Sequence, residues 1–154
     1  MLHKAIGRIL KIGTLISTWG LIATVLLQII CRFTPIDTPS WTEEASRLFF
    51  IYAMSFAAGL AMKNEFYVHL SMFYERLPSR LKKIVSRTIP ILSLFLFLFM
   101  AVCSVQLIIL GLAEKSPSMG LNMGFAFLSM FIMATSVGYY LARKIARDFK
   151  NWKS

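Results

Sequence analysis

Glu43, Glu44 and Arg47 are the residues of this 154-residue chain whose types and spacing could do chemistry, and His69 is its one imidazole away from the N-terminus. Neighbouring carboxylates can divide acid and base roles, and an Arg four residues beyond a Glu can pair with it on one helix face. Acid–base work, however, needs a nucleophile or a metal-held water close by, and the flanking sequence offers neither. A haem or metal bound through His69 would need a second ligand, and the other histidine is His3. The chain has no glycine-rich phosphate loop, no Ser-His-Asp set and no HExxH or CxxC. The expectation is therefore no enzyme, no catalytic residue, no metal and no cofactor. Two compatible readings of the acidic–basic set remain. Glu43 or Glu44 can neutralise Arg47 at a membrane boundary, and Trp41, Glu43, Glu44 and Arg47 can form a polar node that binds a second subunit or a lipid head group.

The elements that must position this set are apolar. Hydrophobic residues make up 57% of the chain, and the mean hydropathy is +0.66. Four stretches, 12–30, 45–62, 89–112 and 121–142, run 18 to 24 residues each. About 20 helical residues cross the roughly 30 Å hydrocarbon core. The fold class expected is an all-α integral membrane protein, a single four-helix domain over 1–154. The first stretch exceeds the roughly 7–15 residues of a signal-peptide core, and Cys31-Arg32-Phe33 follows it rather than a small-x-small site, so it is expected to stay as a helix.

Charge sets the orientation. The N-terminal segment, the loop after the second span and the tail together hold 14 Lys and Arg; the opposite face holds only Arg32 and Lys115. The positive-inside bias then puts both termini and the central loop in the cytoplasm. The net charge of +10 follows from that asymmetry, because the basic residues hug the span ends, and nucleic acid is not the expected partner.

Between the spans, Ser40 and Glu43 have capping-box spacing at the start of the second helix. Phe66, Leu70, Phe73 and Leu77 recur at helical spacing, which predicts a short amphipathic interfacial helix before Pro78. Ala53, Ala57 and Ala61 form a small-residue stripe suited to close helix packing, within the subunit or against a partner. The stretch 89–99 is bulky all round, with Phe95, Phe97 and Phe99, and suits lipid or another large apolar surface. Cys31 and Cys103 differ in depth by more than a disulfide spans and read as inert thiols. No span carries an Asp or Glu in its interior. Ion-coupled transport depends on such groups, so the chain is not expected to transport alone.

The run Pro39-Ser40-Trp41-Thr42-Glu43-Glu44-Ala45-Ser46-Arg47, opening a small-residue helix and followed by His69 in the next loop, resembles the small, DctQ-type membrane subunit of tripartite ATP-independent periplasmic (TRAP) transporters. The family pattern is a Trp-x-Glu-Glu-x-x-Arg run with a His-containing stretch after it, here Trp41, Glu43, Glu44, Arg47 and His69. Size and four-helix topology extend the likeness over the whole chain; its specific part is 39–69, and the stretch around His69 is more aromatic here. The resemblance implies a static scaffold beside a large M-type membrane subunit, which holds the sodium and substrate sites and moves as an elevator. It implies a periplasmic substrate-binding protein docking on the outer face, phospholipid around the complex, and a bacterial inner membrane. Family substrates include dicarboxylates, sialic acid and other sugar acids. The competing functions are an assembly or regulatory subunit of another membrane complex and a small four-helix multidrug exporter. The exporter needs an embedded Glu that these spans lack.

Overall fold

The computed structural model describes residues 2–34, 39–63 and 79–152. They form four long helices: α1 (Leu2–Phe33), α2 (Trp41–Lys63), α3 (Ser79–Gly111) and α4 (Gly124–Trp152). Each is long and apolar enough to cross a membrane. Helix is the form these sequences must take in lipid, where every backbone N–H and C=O has to be satisfied within the segment. The proposed interfacial helix at 66–77, and His69 with it, lies outside the described residues.

The helices overrun the apolar stretches at their terminus-bearing ends. α1 begins at Leu2 rather than near residue 12, and α4 continues to Trp152 rather than stopping near 142. Hydropathy marks where a helix leaves hydrocarbon, whereas the backbone hydrogen bonding continues into water. At the other end α4 starts later than the apolar signal at Leu121. Ser116 N donates to the Leu121 carbonyl at 2.7 Å, and Met123 N donates to that of Glu114 at 2.9 Å. Lys115 and Asn122 pair as an antiparallel bridge, and Gly120 turns the chain with a φ of 66°. That left-handed conformation carries no steric penalty in glycine.

α1 packs on α2, α2 on α4, and α4 on α3, so the chain's last helix lies between its second and third. The buried cluster is Leu10, Met62, Val137, Tyr140 and Leu141, at the ends that carry the termini. In lipid the hydrophobic effect does not drive helices together; close packing and interhelical hydrogen bonds do. The seams accordingly run over small residues. Gly13 and Gly20, two turns apart on α1, receive the rings of Phe56 and Phe49, two turns apart on α2. A Cβ at either glycine would lie 2.8 or 2.6 Å from a ring carbon. On the other side of α2, Gly59 sits beneath Ser136 of α4, where a Cβ would come within 2.5 Å of the hydroxyl oxygen.

The alanine stripe is divided by this arrangement. Ala53 is buried, while Ala57 and Ala61 are half-buried. α3, at the edge, turns Phe95, Leu98, Phe99 and Val102 outward.

Candidate functional site

The start of α2 meets the loop between α3 and α4, and the acidic–basic set stands at that junction. The turn into α2 is made by Thr42, not Ser40. Thr42 N and Oγ1 both donate to the Pro39 carbonyl, at 3.1 and 2.8 Å, and Thr42 is only 1% exposed. The Ser40–Glu43 capping box is not formed. A buried hydroxyl two positions later satisfies the turn from inside, and Ser40 and Glu43 face solvent.

Glu44 is half-buried and reaches across to the α3–α4 loop. Its Oε2 accepts hydrogen bonds from the Ser116 hydroxyl and from Met119 N at 2.9 Å; its Oε1 accepts from Ser118 N at 3.1 Å. Hydrogen bonds to an ionised acceptor are roughly twice as strong as neutral ones. This carboxylate therefore works as a clamp on the loop rather than as a reactive acid.

Arg47 is exposed and makes no ion pair with Glu43 or Glu44 among the described residues. The expected i, i+4 pair is therefore absent. One reason is that Glu44 is committed to the loop. The other is that an exposed Glu–Arg pair gains only about 0–1 kcal/mol, which the entropy of holding two long side chains offsets. Arg47 and Glu44 line a cleft of about 170 Å³ between α2 and the α3–α4 loop. Leu48, Ile51, Leu121 and Met123 line it beside them. Trp41, also exposed, stands one and a half turns before Arg47.

Three further polar contacts fix the junction. Gln28 Nε2 on α1 donates to Ser46 Oγ at 3.4 Å, and Ser46 Oγ donates to the Glu43 carbonyl at 2.8 Å. Tyr52 OH donates to the Phe125 carbonyl in the first turn of α4 at 2.7 Å. These join α1, α2 and α4 at the loop-bearing end. Among the described residues no three His, Cys, Asp or Glu side chains gather as metal ligands, and Cys31 and Cys103 are free thiols. What the junction offers chemically is one anchored carboxylate, a guanidinium with no ion pair among the described residues and an apolar cleft, a set suited to holding a partner group.

Of the sequence-derived candidates, the fold brings together Trp41, Glu43, Glu44 and Arg47. Ala53, Ala57 and Ala61 lie further along the same helix. Sequence reasoning missed Ser116, Ser118 and Met119, which no local pattern connects to Glu44. It also missed Gly13 and Gly20, whose seven-residue spacing in the first span was a usable signal.

Residues 21–151 match the family described as tripartite ATP-independent periplasmic transporters, DctQ component. A putative TRAP transporter small permease protein of Haemophilus influenzae is 24% identical over 147 residues, covering 96% of this chain and 89% of that protein. The sialic acid TRAP transporter small permease protein of Vibrio cholerae is 33% identical over 94 residues, 60% of this chain and 54% of its own length.

Proposed function

The chain belongs to the DctQ-component family of TRAP transporters, and from that membership we propose that it is the scaffold subunit of a sodium-coupled, binding-protein-dependent transporter of organic acids. It is a small permease subunit and not an enzyme. Its family works with a large membrane subunit and a binding protein.

In this reading the large subunit carries the sodium and substrate sites and moves as an elevator, while the present chain widens the part that stays fixed. The observation that carries it is the state of the carboxylates. The spans have no acidic residue in their interiors, and Glu44, the acid nearest the hydrocarbon on α2, is already held by three donors from the loop. Among the described residues no acidic side chain within the apolar spans is then free to coordinate a coupling ion, and the work proposed for the chain is mechanical. The substrate class proposed is a carboxylate-bearing acid, of dicarboxylate or sialic acid type; the Vibrio cholerae relative's name supports the second. Both termini face the cytoplasm of a bacterial inner membrane, on the basic-residue asymmetry. Trp41, Glu43 and Arg47, with Glu44 shaping the loop beside them, and separately His69 are proposed contacts for the large subunit or for phospholipid head groups.

Reconstitution tests this. Proteoliposomes holding this chain with its large membrane subunit and binding protein should take up a sugar acid or dicarboxylate under an inward sodium gradient. Liposomes holding this chain alone should take up neither. Sodium-driven uptake by the chain alone would overturn the proposal.

A further inference from the structure

Glu43 and Arg47 stand four residues apart on α2, both exposed, and neither side chain has a hydrogen bond or ion pair among the described residues. That spacing puts them on one helix face, with Glu43 about 6 Å nearer the helix start at 1.5 Å per residue. Next to Arg47 lies the cleft, whose wall is apolar: Leu48 and Ile51 of α2, Leu121 and Met123 of the loop, and Ala126 of α4. Glu44 also lines it, but its carboxylate is held by Ser116, Ser118 and Met119. From the start of α2 inward, the order is therefore exposed carboxylate, exposed guanidinium, apolar slot.

That is also the order of an aminophospholipid read from water to hydrocarbon: amine, phosphate, acyl chain. A guanidinium pairs with phosphate through parallel hydrogen bonds. A primary ammonium brings three donors to a carboxylate. A quaternary choline brings none, and a glycerol head group brings no positive charge. The two-carbon ethanolamine link suits the one-turn separation of the two side chains. Local charge selects in the same direction. Glu43 and Glu44 set two carboxylates against the one guanidinium of Arg47, while Glu114 and Lys115 on the loop cancel. A head group of net negative charge is disfavoured there, and one that adds an amine is favoured. Size points to a lipid chain rather than a helix. A cavity of about 150 Å³ holds one benzene, so a cleft of about 170 Å³ takes about six carbons. A helix, about 10–12 Å across with its side chains, does not enter it.

We propose that the cleft between α2 and the α3–α4 loop is a binding site for one phosphatidylethanolamine molecule, with its phosphate on Arg47, its amine on Glu43 and the upper part of one acyl chain against Ile51 and Leu121. The inference rests on the reading that this polar set meets a phospholipid head group, and it goes further in naming the head group and the residue that engages each part of it. Glu44 makes the wall of the site by holding the loop against α2.

Native mass spectrometry of the full chain, released from nanodiscs of equal parts phosphatidylethanolamine, phosphatidylcholine and phosphatidylglycerol, tests this. Phosphatidylethanolamine should stay bound severalfold more than either other lipid. Glu43→Gln, which removes the charge that the amine meets, should erase the preference over phosphatidylcholine. Arg47→Gln should lower retention of all three. Both side chains are exposed, so both variants should keep the fold. Equal retention of the three lipids, a preference for phosphatidylglycerol, or an unchanged preference in both variants overturns the inference. Benzoylphenylalanine in place of exposed Leu121, in cells expressing this chain and the large subunit, separates the site from the wider reading. A lipid adduct supports the site. A large-subunit conjugate there, with no lipid retained by the chain from nanodiscs, would make the cleft a protein seam and remove the head-group reading as well.

Discussion

Glu44, at the start of α2, accepts a hydrogen bond from the hydroxyl of Ser116, 72 residues further along the chain. With the Ser118 and Met119 amides on the same carboxylate, one side chain near the end of one membrane helix determines the shape of the loop between two others. That loop has backbone bonds of its own, from Ser116 to Leu121 and from Met123 to Glu114. The carboxylate attaches the loop to α2.

Removing the clamp should loosen the loop without unfolding the helices. A hydrogen bond to a charged group contributes about 1.5–3 kcal/mol when well formed. Because Glu44 is only half-buried, the expected loss for Glu44→Ala is about 1–2 kcal/mol. Amide exchange at Ser118 and Met119 should then rise roughly tenfold, since about 1.4 kcal/mol corresponds to one decade. Glu44→Gln, which keeps one acceptor oxygen, should fall between. Unchanged exchange in Glu44→Ala would mean that the loop holds itself.

Arg47 should behave in the opposite way. It has no ion-pair partner among the described residues, so Arg47→Ala should leave the stability of the isolated subunit in detergent nearly unchanged, a shift of about 0.5 kcal/mol or less. The same variant should lower the yield of assembled complex more than Lys115→Ala does. A large loss of stability in the isolated subunit would show that the guanidinium has an internal role.

Side-chain size at the α2–α4 crossing should matter more than at the alanine stripe. Gly59→Leu forces Ser136 away and should cost about 1–3 kcal/mol as overpacking. Ala57→Leu, at a half-buried position, should cost less. Thermal unfolding of both variants in one detergent gives the ranking, and equal melting temperatures would show that the crossing can separate without cost.

Orientation can be read by labelling in a variant whose Cys31 and Cys103 are replaced by serine. A single cysteine in place of exposed Ser118 should react with a membrane-impermeant maleimide in intact spheroplasts. A cysteine replacing Ser154 should react only after lysis. The reverse pattern would place the termini outside.

Hydropathy and charge made the four spans legible, because both are sums over neighbouring residues and need no knowledge of what packs on what. The ends of the spans were less so. α1 runs on to Leu2 because a helix leaving hydrocarbon keeps its hydrogen-bond ladder, and α4 waits until Gly124 because the Lys115–Asn122 bridge holds the preceding residues in a turn. The Trp41–Arg47 run was legible as a polar constellation because its members lie within two turns of one helix.

Which of them do what was decided only by the tertiary structure. The sequence put Arg47 beside two carboxylates of equal standing. The contact between α2 and the α3–α4 loop gave Glu44 three donors and left Arg47, with no ion pair among the described residues, lining a cleft. The same holds for the alanine stripe, half of whose service passed to Gly13, Gly20 and Gly59 once the helices were set side by side. The lateral order, with α4 between α2 and α3, has no counterpart in any local pattern. In lipid every helix is apolar all round, so hydrophobicity marks a span but does not mark its neighbour. The neighbour follows from where two surfaces fit closely and their polar groups meet.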